Sequence, residues 1–195
     1  MPEFFLELFS EEIPPNLQKN VRESLLQNFK DFFEKKNINF SKDFSFSTPN
    51  RLIILFDGIK PEIHQKEEEI RGPKIDSPEK ALEGFLRSNN FQKKNLYQKE
   101  NDKGVFYFAK KPPRIIKVID LLNENIPLIL DKVSWKKSMK WGDFELYWAR
   151  PLKSILAIFN NKNLTFKYHH LQSSNFTFVD KDFEDKTKIF NNFKI

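Results

Sequence analysis

An amphipathic helix near the N-terminus is the segment that most constrains the fold of this chain. Apolar side chains recur there at steps of three and four residues, which places them on one helical face. They are Leu17, Val21, Leu25, Phe29, Phe32 and Phe33. The preceding prolines or Asn16 would begin this helix, and the run Lys35-Lys36-Asn37 would end it, since cations are favoured at the negative helix end.

Extended segments are interspersed with helices without strict alternation. The opening residues EFFLELF predict a strand buried on both faces, because the run is mostly apolar. Further strands are predicted at residues 44–46, 51–56, 62–70, 105–109, 155–159 and 164–168, the last two as a hairpin that turns at 160–163. The class is therefore α+β, with a mixed, mostly antiparallel sheet and packed helices.

The remaining segments are assigned from composition and from helix start signals. Ser77-Pro78 predicts a short helix with a buried stripe of residues 81, 82, 85 and 86, begun by the serine as N-cap. Another helix is predicted from Ile115 through Leu122. Residues 88–103 read as a polar surface loop, and residues 181–195 as a short charged helix.

The size and composition fit a folded protein. Its 195 residues suffice for one core or for two small domains, and 22 phenylalanines supply most of the aromatic mass. No apolar run approaches the roughly 18 residues that a membrane span needs. The N-terminus carries Glu3 and Glu7 and lacks a basic leader, so we expect no signal peptide, and the absence of cysteine suits the cytoplasm.

Motifs for catalysis, cofactors and metals are missing. The sequence has no Walker A motif, dinucleotide fingerprint, HExxH or Gly-x-Ser-x-Gly. His169 and His170 are neighbours, which on a strand point to opposite faces and do not share a metal. Glu11-Glu12 is either an acid–base pair or, as adjacent acids more often are, a charge cluster at a helix N-terminus. We therefore expect no catalytic, cofactor-binding or metal-binding residue in this chain.

Residues 135–152 (WKKSMKWGDFELYWARPL), called the basic segment below, combine cations with aromatic rings. The cations are Lys136, Lys137, Lys140 and Arg150, and the rings are Trp135, Trp141, Phe144, Tyr147 and Trp148. Lysines contact phosphates and flat rings stack on unpaired bases, so the mixture is typical of contacts to single-stranded RNA. The net charge of +6 agrees with an anionic partner. Composition alone favours the alternative, in which the rings are core and the lysines a solvated rim.

Single residues of the basic segment also allow alternative interpretations. The lysines and Arg150 either contact the RNA backbone, remain as surface charges or form ion pairs at a subunit interface. Trp141 stacks on a base or, like Trp148, anchors the core, which is the commoner role. Gly142 is expected to adopt a positive φ. Outside the segment, Arg71 stands before the turn Gly72-Pro73, and it either binds a phosphate bidentately or pairs with one of residues 67–69.

Four blocks of sequence follow one another along the chain. They are residues 7–15 (ELFSEEIPP), residues 47–52 (STPNRL), residues 70–73 with 80–85 (IRGP and KALEGF), and residues 137–142 with 149–152 (KSMKWG and ARPL). In this order and spacing they resemble the N-terminal region of the β subunit of the bacterial heterotetrameric glycyl-tRNA synthetase. The motifs of that family read E-(I/L)-G-x-E-E-(L/I)-P, TPRRL, RGP…KAAEGF and KxMRWG…FVRPI.

The resemblance implies a function shared with other polypeptides. Family members are α2β2 enzymes in which the α subunit carries the catalytic site, with ATP and Mg²⁺ used by the holoenzyme, while the β subunit mainly binds tRNA(Gly). Residues 1–195 would then be the N-terminal region of such a β subunit, a fragment without its HD-like and anticodon-binding parts. The expected function is a non-catalytic tRNA-binding and assembly region of a cytoplasmic glycine–tRNA ligase. The alternatives are a subunit-docking module without RNA contact, or an editing-type hydrolase.

The sequence departs from the family pattern at three places. Phe9-Ser10 replaces the glycine of the first block, and Asn50 displaces the second arginine of the turn. Residues 173–178 (SSNFTF) stand where the family has GHRF. The first two departures indicate divergence at a structural position, whereas the third puts in doubt any function that needs that histidine or arginine.

Overall fold

The computed structural model describes residues 2–101, 104–179 and 187–190. The chain divides into two units. The first comprises Met1–Ile63 and Lys117–Ile195, and the second comprises His64–Ile116. The second unit is thus inserted within the sequence of the first, so the basic segment belongs to the first unit and Arg71 to the second.

Three α-helices and sixteen strands make up the described part of the chain. The helices are α1 (Pro15–Lys35), α2 (Glu79–Asn89) and α3 (Val118–Leu130). The strands are β1 (Glu3–Ser10), β2 (Lys42–Thr48), β3 (Arg51–Asp57), β4 (Glu62–Gln65), β5 (Glu68–Lys74), β6 (Leu96–Asn101), β7 (Gly104–Lys111), β8 (Arg114–Lys117), β9 (Met139–Lys140), β10 (Tyr147–Trp148), β11 (Leu152–Phe159), β12 (Lys162–Asn163), β13 (Lys167–Tyr168), β14 (Leu171–Ser174), β15 (Phe176–Phe178) and β16 (Thr187–Ile189). These elements confirm the α+β class.

The first unit is built on a mixed sheet with β1 near its centre. The strand order is β13-β14-β11-β1-β3-β2, with β12 paired to β11. All pairs are antiparallel except β11 with β14. Because β1 has a partner on each side and apolar residues on both faces, the strand predicted from EFFLELF is confirmed as a buried one.

One face of this sheet is covered by α1 and α3. The six apolar residues predicted for α1 are all buried, and they pack with β1, β3, β11 and α3 in one core. Phenylalanine rings form its centre: Phe33 lies edge-to-face on Phe56 at 4.8 Å between centroids, and Phe56 meets Phe40 at 4.9 Å. The helix predicted from periodicity alone is therefore the main cover of the sheet.

The opposite face of the sheet carries a smaller apolar cluster of Phe5, Leu55, Leu156 and Ile158. The β15–β16 hairpin lies over part of it, since the rings of Phe178 and Phe9 are 5.1 Å apart and Phe190 packs on the cluster. Alternate residues of β2 remain exposed on this face, with Phe44 at 51% and Phe46 at 58%. The strand was predicted correctly, but its phenylalanines are not part of the main core.

The second unit is a three-stranded antiparallel sheet, ordered β5-β7-β6, against which α2 packs. Gly72 in β5 permits this packing, because a Cβ there would lie 2.9 Å from Cε1 of Phe85. The predicted buried stripe of α2 is wrong, since none of its residues is buried. A helix against three strands has too little surrounding structure to enclose its apolar side chains.

Several boundaries differ from the sequence prediction. Residues 88–103 contain β6 and a 3₁₀ turn at Lys93–Asn95 in place of a loop. Ile115 lies on β8, and the helix starts only at Val118, so the proline pair ends one strand and precedes another. The N-cap of α2 is Pro78, without a side-chain hydrogen bond from Ser77.

The C-terminal predictions differ in a similar way. The hairpin after β11 turns at Asn160 and Asn161, both with positive φ, but its return strand is only β12, and β13 pairs with β14. Thr187–Ile189 form β16, so the predicted helix is wrong there, and its other residues, apart from Phe190, lie outside the described ranges. No helix among the described residues is long and apolar enough to cross a membrane.

Candidate nucleic-acid interface

The basic segment folds around a small antiparallel ribbon. Met139 pairs with Trp148, and Lys140 pairs with Tyr147. Directly opposite residues lie on the same face of a ribbon, so Lys140 and Tyr147 share one face. Tyr147 is 63% exposed and Lys140 is exposed, which puts a cation beside a solvent-facing ring. Gly142 has φ +60° in the connection between the strands, as predicted.

Tryptophans fix this ribbon to the first unit. Trp148 is almost fully buried, and the ring of Trp135 lies across it at 4.9 Å and 63°. Trp141 donates its Nε1–H to the carbonyl of Trp148 over 2.9 Å. Trp148 is therefore a core anchor, the commoner of its two readings. Trp141 is only partly buried: its Nε1–H is occupied by this hydrogen bond, and its ring lines a cavity.

The lysines of the segment are exposed. Lys136, Lys137 and Lys140 lie within five residues, and within the described ranges none of them forms an ion pair. Asp143 and Glu145 nearby are exposed as well. Because the lysine ammonium groups are not neutralised by contact, they are available to an anion such as a phosphate.

Arg150, near the end of the segment, also makes a structural hydrogen bond. Its Nε–H donates to the carbonyl oxygen of Glu12 over 3.1 Å, while the residue as a whole is exposed. The chain next to it is held by backbone bonds, from Glu11 N to Pro151 O at 3.0 Å and from Ile13 N to Pro49 O at 2.6 Å. Arg150 thus fixes the loop after β1 and keeps part of its guanidinium at the surface.

A cavity of about 320 Å³ lies beside the ribbon. Its lining includes the indole of Trp141, Leu146 and the stacked rings of Phe144 and His170, whose centroids are 3.7 Å apart with 12° between planes. Both residues of this pair are exposed, Phe144 at 46%. No local pattern indicated this pair, because His170 follows β13 and is remote from Phe144 in the chain.

Comparison with known proteins agrees with the motif blocks. The sequence model of the family described as "Glycyl-tRNA synthetase beta subunit" matches residues 4–194. The chain belongs to the glycyl-tRNA synthetase beta subunit family. The "Glycine--tRNA ligase beta subunit" of Rickettsia peacockii (strain Rustic) is 40% identical over 178 residues, which are 91% of this chain and 27% of that protein. Its namesake in Rickettsia bellii (strain OSU 85-389) is 37% identical over the whole chain and 31% of its own length. The chain thus spans less than a third of these relatives.

The family's motif blocks have identifiable structural roles in this chain. The blocks around residues 10–13, 49–51 and 150–152 meet at one end of the first unit's sheet through the backbone bonds described above. The block formed by residues 70–73 and 80–85 belongs to the second unit, where Gly72 makes room for Phe85. In this chain these residues of the motif blocks therefore have packing roles.

Arg71 belongs to the second unit. Its guanidinium carbon sits 3.7 Å from the centroid of the Phe106 ring. Two of the three acids predicted as its ion-pair partners pair with other residues: Glu67 with Lys110 at 2.7 Å and Glu69 with Lys99 at 2.9 Å. Contact of Arg71 with a phosphate stays a prediction.

A cavity of about 500 Å³ lies on the other face of the first unit's sheet. Its lining is apolar except for Glu7 and Thr177. Glu7 is only 6% exposed; it accepts a hydrogen bond from Thr177 Oγ1, and its Oε2 is 3.5 Å from Nε of Arg51. Burial raises the pKa of Glu7 more than Thr177 and Arg51 lower it.

This buried cluster joins residues of the first two motif blocks. Glu7 comes from the opening block and Arg51 from the turn block, and the guanidinium of Arg51 also donates to the carbonyl of Phe178. Both oxygens of the Glu7 carboxyl thus have partners that tie β1, β3 and β15 together. The sequence analysis missed this cluster, although an acid within an otherwise apolar strand was a visible signal.

Within residues 2–101, 104–179 and 187–190, no three His, Asp or Glu side chains are placed to share a metal ion. Of the acids considered for acid–base work, Glu11 lies 3.9 Å from Nζ of Lys153 at the edge of the basic segment. Such an ion pair suits a surface loop, and the basic segment therefore remains the site that the sequence and the described geometry support best.

Proposed function

We propose that this chain is a tRNA-binding and assembly region of a glycine–tRNA ligase. In this proposal the chain itself carries no catalytic centre, and glycine is attached to tRNA(Gly) by an α subunit that uses ATP and Mg²⁺. The partners are that subunit, in an α2β2 assembly, and the tRNA. Support comes from the family membership, because the relatives are named glycine–tRNA ligase beta subunits.

The observation that carries the RNA contact is the set of three exposed lysines in the basic segment, which have no ion-pair partner among the described residues. Lys140 lies opposite Tyr147 on a ribbon whose other strand carries the buried Trp148, and Lys136 and Lys137 shortly precede that ribbon in the chain. Phosphate contacts supply most of the affinity and position the partner, while rings add stacking on unpaired bases. A rigid support for these groups limits the conformational entropy that binding removes.

The test is tRNA binding by the chain in which Lys136, Lys137 and Lys140 are replaced by Gln. The matched control replaces three exposed lysines of α1 and its C-cap, Lys19, Lys35 and Lys36, by Gln, for the same change in net charge. We expect the first variant to bind tRNA much more weakly than the control in a filter-binding titration. Equal losses in both variants would mean that only overall charge matters, and the proposed interface would be refuted.

A second candidate function is docking of the α subunit without RNA contact. The observation that favours it is the exposed pair Phe44 and Phe46, beside the 500 Å³ apolar cavity, since exposed apolar patches often mark protein interfaces. Replacing both by Ser should then abolish capture of the purified α subunit and leave tRNA binding unchanged. Undiminished capture would remove this candidate.

A further inference from the structure

The cavity beside the ribbon has the composition of a site for one planar ring. Its lining combines the Trp141 indole, the Phe144–His170 ring pair and aliphatic surface from Leu146, Pro151 and Leu152. The volume of about 320 Å³ is at the lower end of the range of about 300–1,000 Å³ that small-ligand pockets occupy. The space suits a single small ring system.

The ring pair is arranged for continued stacking. Phe144 and His170 are nearly parallel at 3.7 Å, and both keep solvent-exposed surface although they are the only two members of this stack among the described residues. Aromatic side chains that stay exposed and pre-stacked lose little conformational freedom when a further ring joins them. Trp141 is likewise fixed by its hydrogen bond to the Trp148 carbonyl.

Charge around the cavity indicates what carries the ring. Lys140 directly precedes Trp141, and Arg150 directly precedes Pro151, so two lining residues each have a cationic neighbour in the chain. A planar ring attached to an anionic backbone matches this arrangement. An apolar side chain of a protein partner would use the cavity but not the cations.

We infer that this cavity receives one unstacked nucleobase of single-stranded RNA, which stacks against Phe144, His170 or Trp141 while neighbouring phosphates meet the lysines. The inference rests on the proposed RNA contact and adds a base-stacking subsite to it. Stacking tolerates any base, because every base has a π face. The site therefore distinguishes unpaired from paired RNA without reading its sequence.

The experiment compares two hexamers of equal charge, an oligoadenylate and its abasic analogue, by fluorescence anisotropy. We expect the wild-type chain to bind the oligoadenylate about 5- to 150-fold more tightly, which corresponds to about 1–3 kcal/mol of stacking. Phe144→Leu and, separately, His170→Leu each replace the ring by a branched aliphatic side chain, and each should reduce this ratio. The Lys136/Lys137/Lys140→Gln variant should weaken binding of both hexamers and preserve their ratio.

The outcomes separate the subsite from the function on which it rests. If both hexamers bind equally well but the lysine variant binds them more weakly, the base site is refuted and the RNA contact stands. If the ratio survives in both ring variants, the base stacks elsewhere and the inference is wrong. If neither hexamer binds, both the subsite and the RNA contact are overturned. Circular dichroism of each variant confirms that it is folded.

Discussion

Replacing Phe33 by Ala tests whether the phenylalanine core holds the first unit together. Phe33 is fully buried, and its ring lies within 6.3 Å of those of Phe4, Phe29, Phe32, Phe40 and Phe56. Truncating a buried Phe to Ala costs about 3–5 kcal/mol. Since aromatic pairs add about 0.5–1.5 kcal/mol beyond area burial, we expect a value near the upper end of that range, about 4–5 kcal/mol.

Phe44→Ala is the matched control. Phe44 belongs to the same unit but is 51% exposed, so its truncation removes only part of the roughly 1.5–3 kcal/mol that full burial of such a side chain contributes, and we expect about 1 kcal/mol. The difference between the two variants, about 3 kcal/mol, is large compared with the error of an unfolding experiment.

Urea unfolding followed by tryptophan emission measures this difference. All three tryptophans, Trp135, Trp141 and Trp148, lie in the first unit, so the signal reports that unit alone. With an m-value of about 2 kcal/mol/M, Phe33→Ala should lower the midpoint by about 2 M and Phe44→Ala by about 0.5 M. Equal shifts, or a larger one for Phe44→Ala, would refute the assignment of the core to the helix-covered face.

Two further predictions concern the buried carboxyl of Glu7 and the packing of Gly72, for which Gly84 is the control. The raised pKa of Glu7 means that its contribution to stability is complete below the ordinary glutamate pKa and is lost as the pH rises through the folded value. Thermal unfolding from about pH 4 to about pH 8 should therefore show wild type losing stability relative to Glu7→Gln, and a constant difference would contradict this. Gly72→Ala should destabilise the second unit by about 1–3 kcal/mol through the clash with Phe85. Gly84 lies in α2 with open space around it, so Gly84→Ala should instead stabilise the second unit by about 0.5–1 kcal/mol. Hydrogen exchange of β5 and β7 measures both changes in stability, and equal effects of the two substitutions would contradict the packing account.

The elements that the sequence predicted well are those with a strong local pattern. The α1 stripe from Leu17 to Phe33 and the apolar run of β1 each bury a continuous apolar surface, so periodicity alone specified them. In contrast, β6 (LYQKEN) reads as a polar loop, and it is a strand because β7 supplies its hydrogen bonds. The short strands β13 to β16 likewise depend on partners remote in sequence, which a local pattern does not encode.

The residues of the candidate site likewise comprise some that the sequence indicated and some that only the fold brings together. The lysines of the basic segment were visible as composition, and Trp148 was assigned to the core as the commoner role of such a ring. The pairing of Phe144 with His170 and of Glu7 with Arg51 joins residues more than 25 positions apart, so only the fold reveals it. Arg71 was singled out because it precedes the turn Gly72-Pro73, and its position over the ring of Phe106 in the second unit was not visible in the sequence.

The salt dependence of tRNA binding tests the central claim most directly, namely that Lys136, Lys137 and Lys140 contact phosphates. Each phosphate contact adds about 0.7–0.9 to the magnitude of the slope of log K against log salt concentration. Replacing all three lysines by Gln should therefore reduce that magnitude by about 2–3, whereas replacing Lys19, Lys35 and Lys36 should leave it nearly unchanged. An unaltered slope in the first variant would contradict the account.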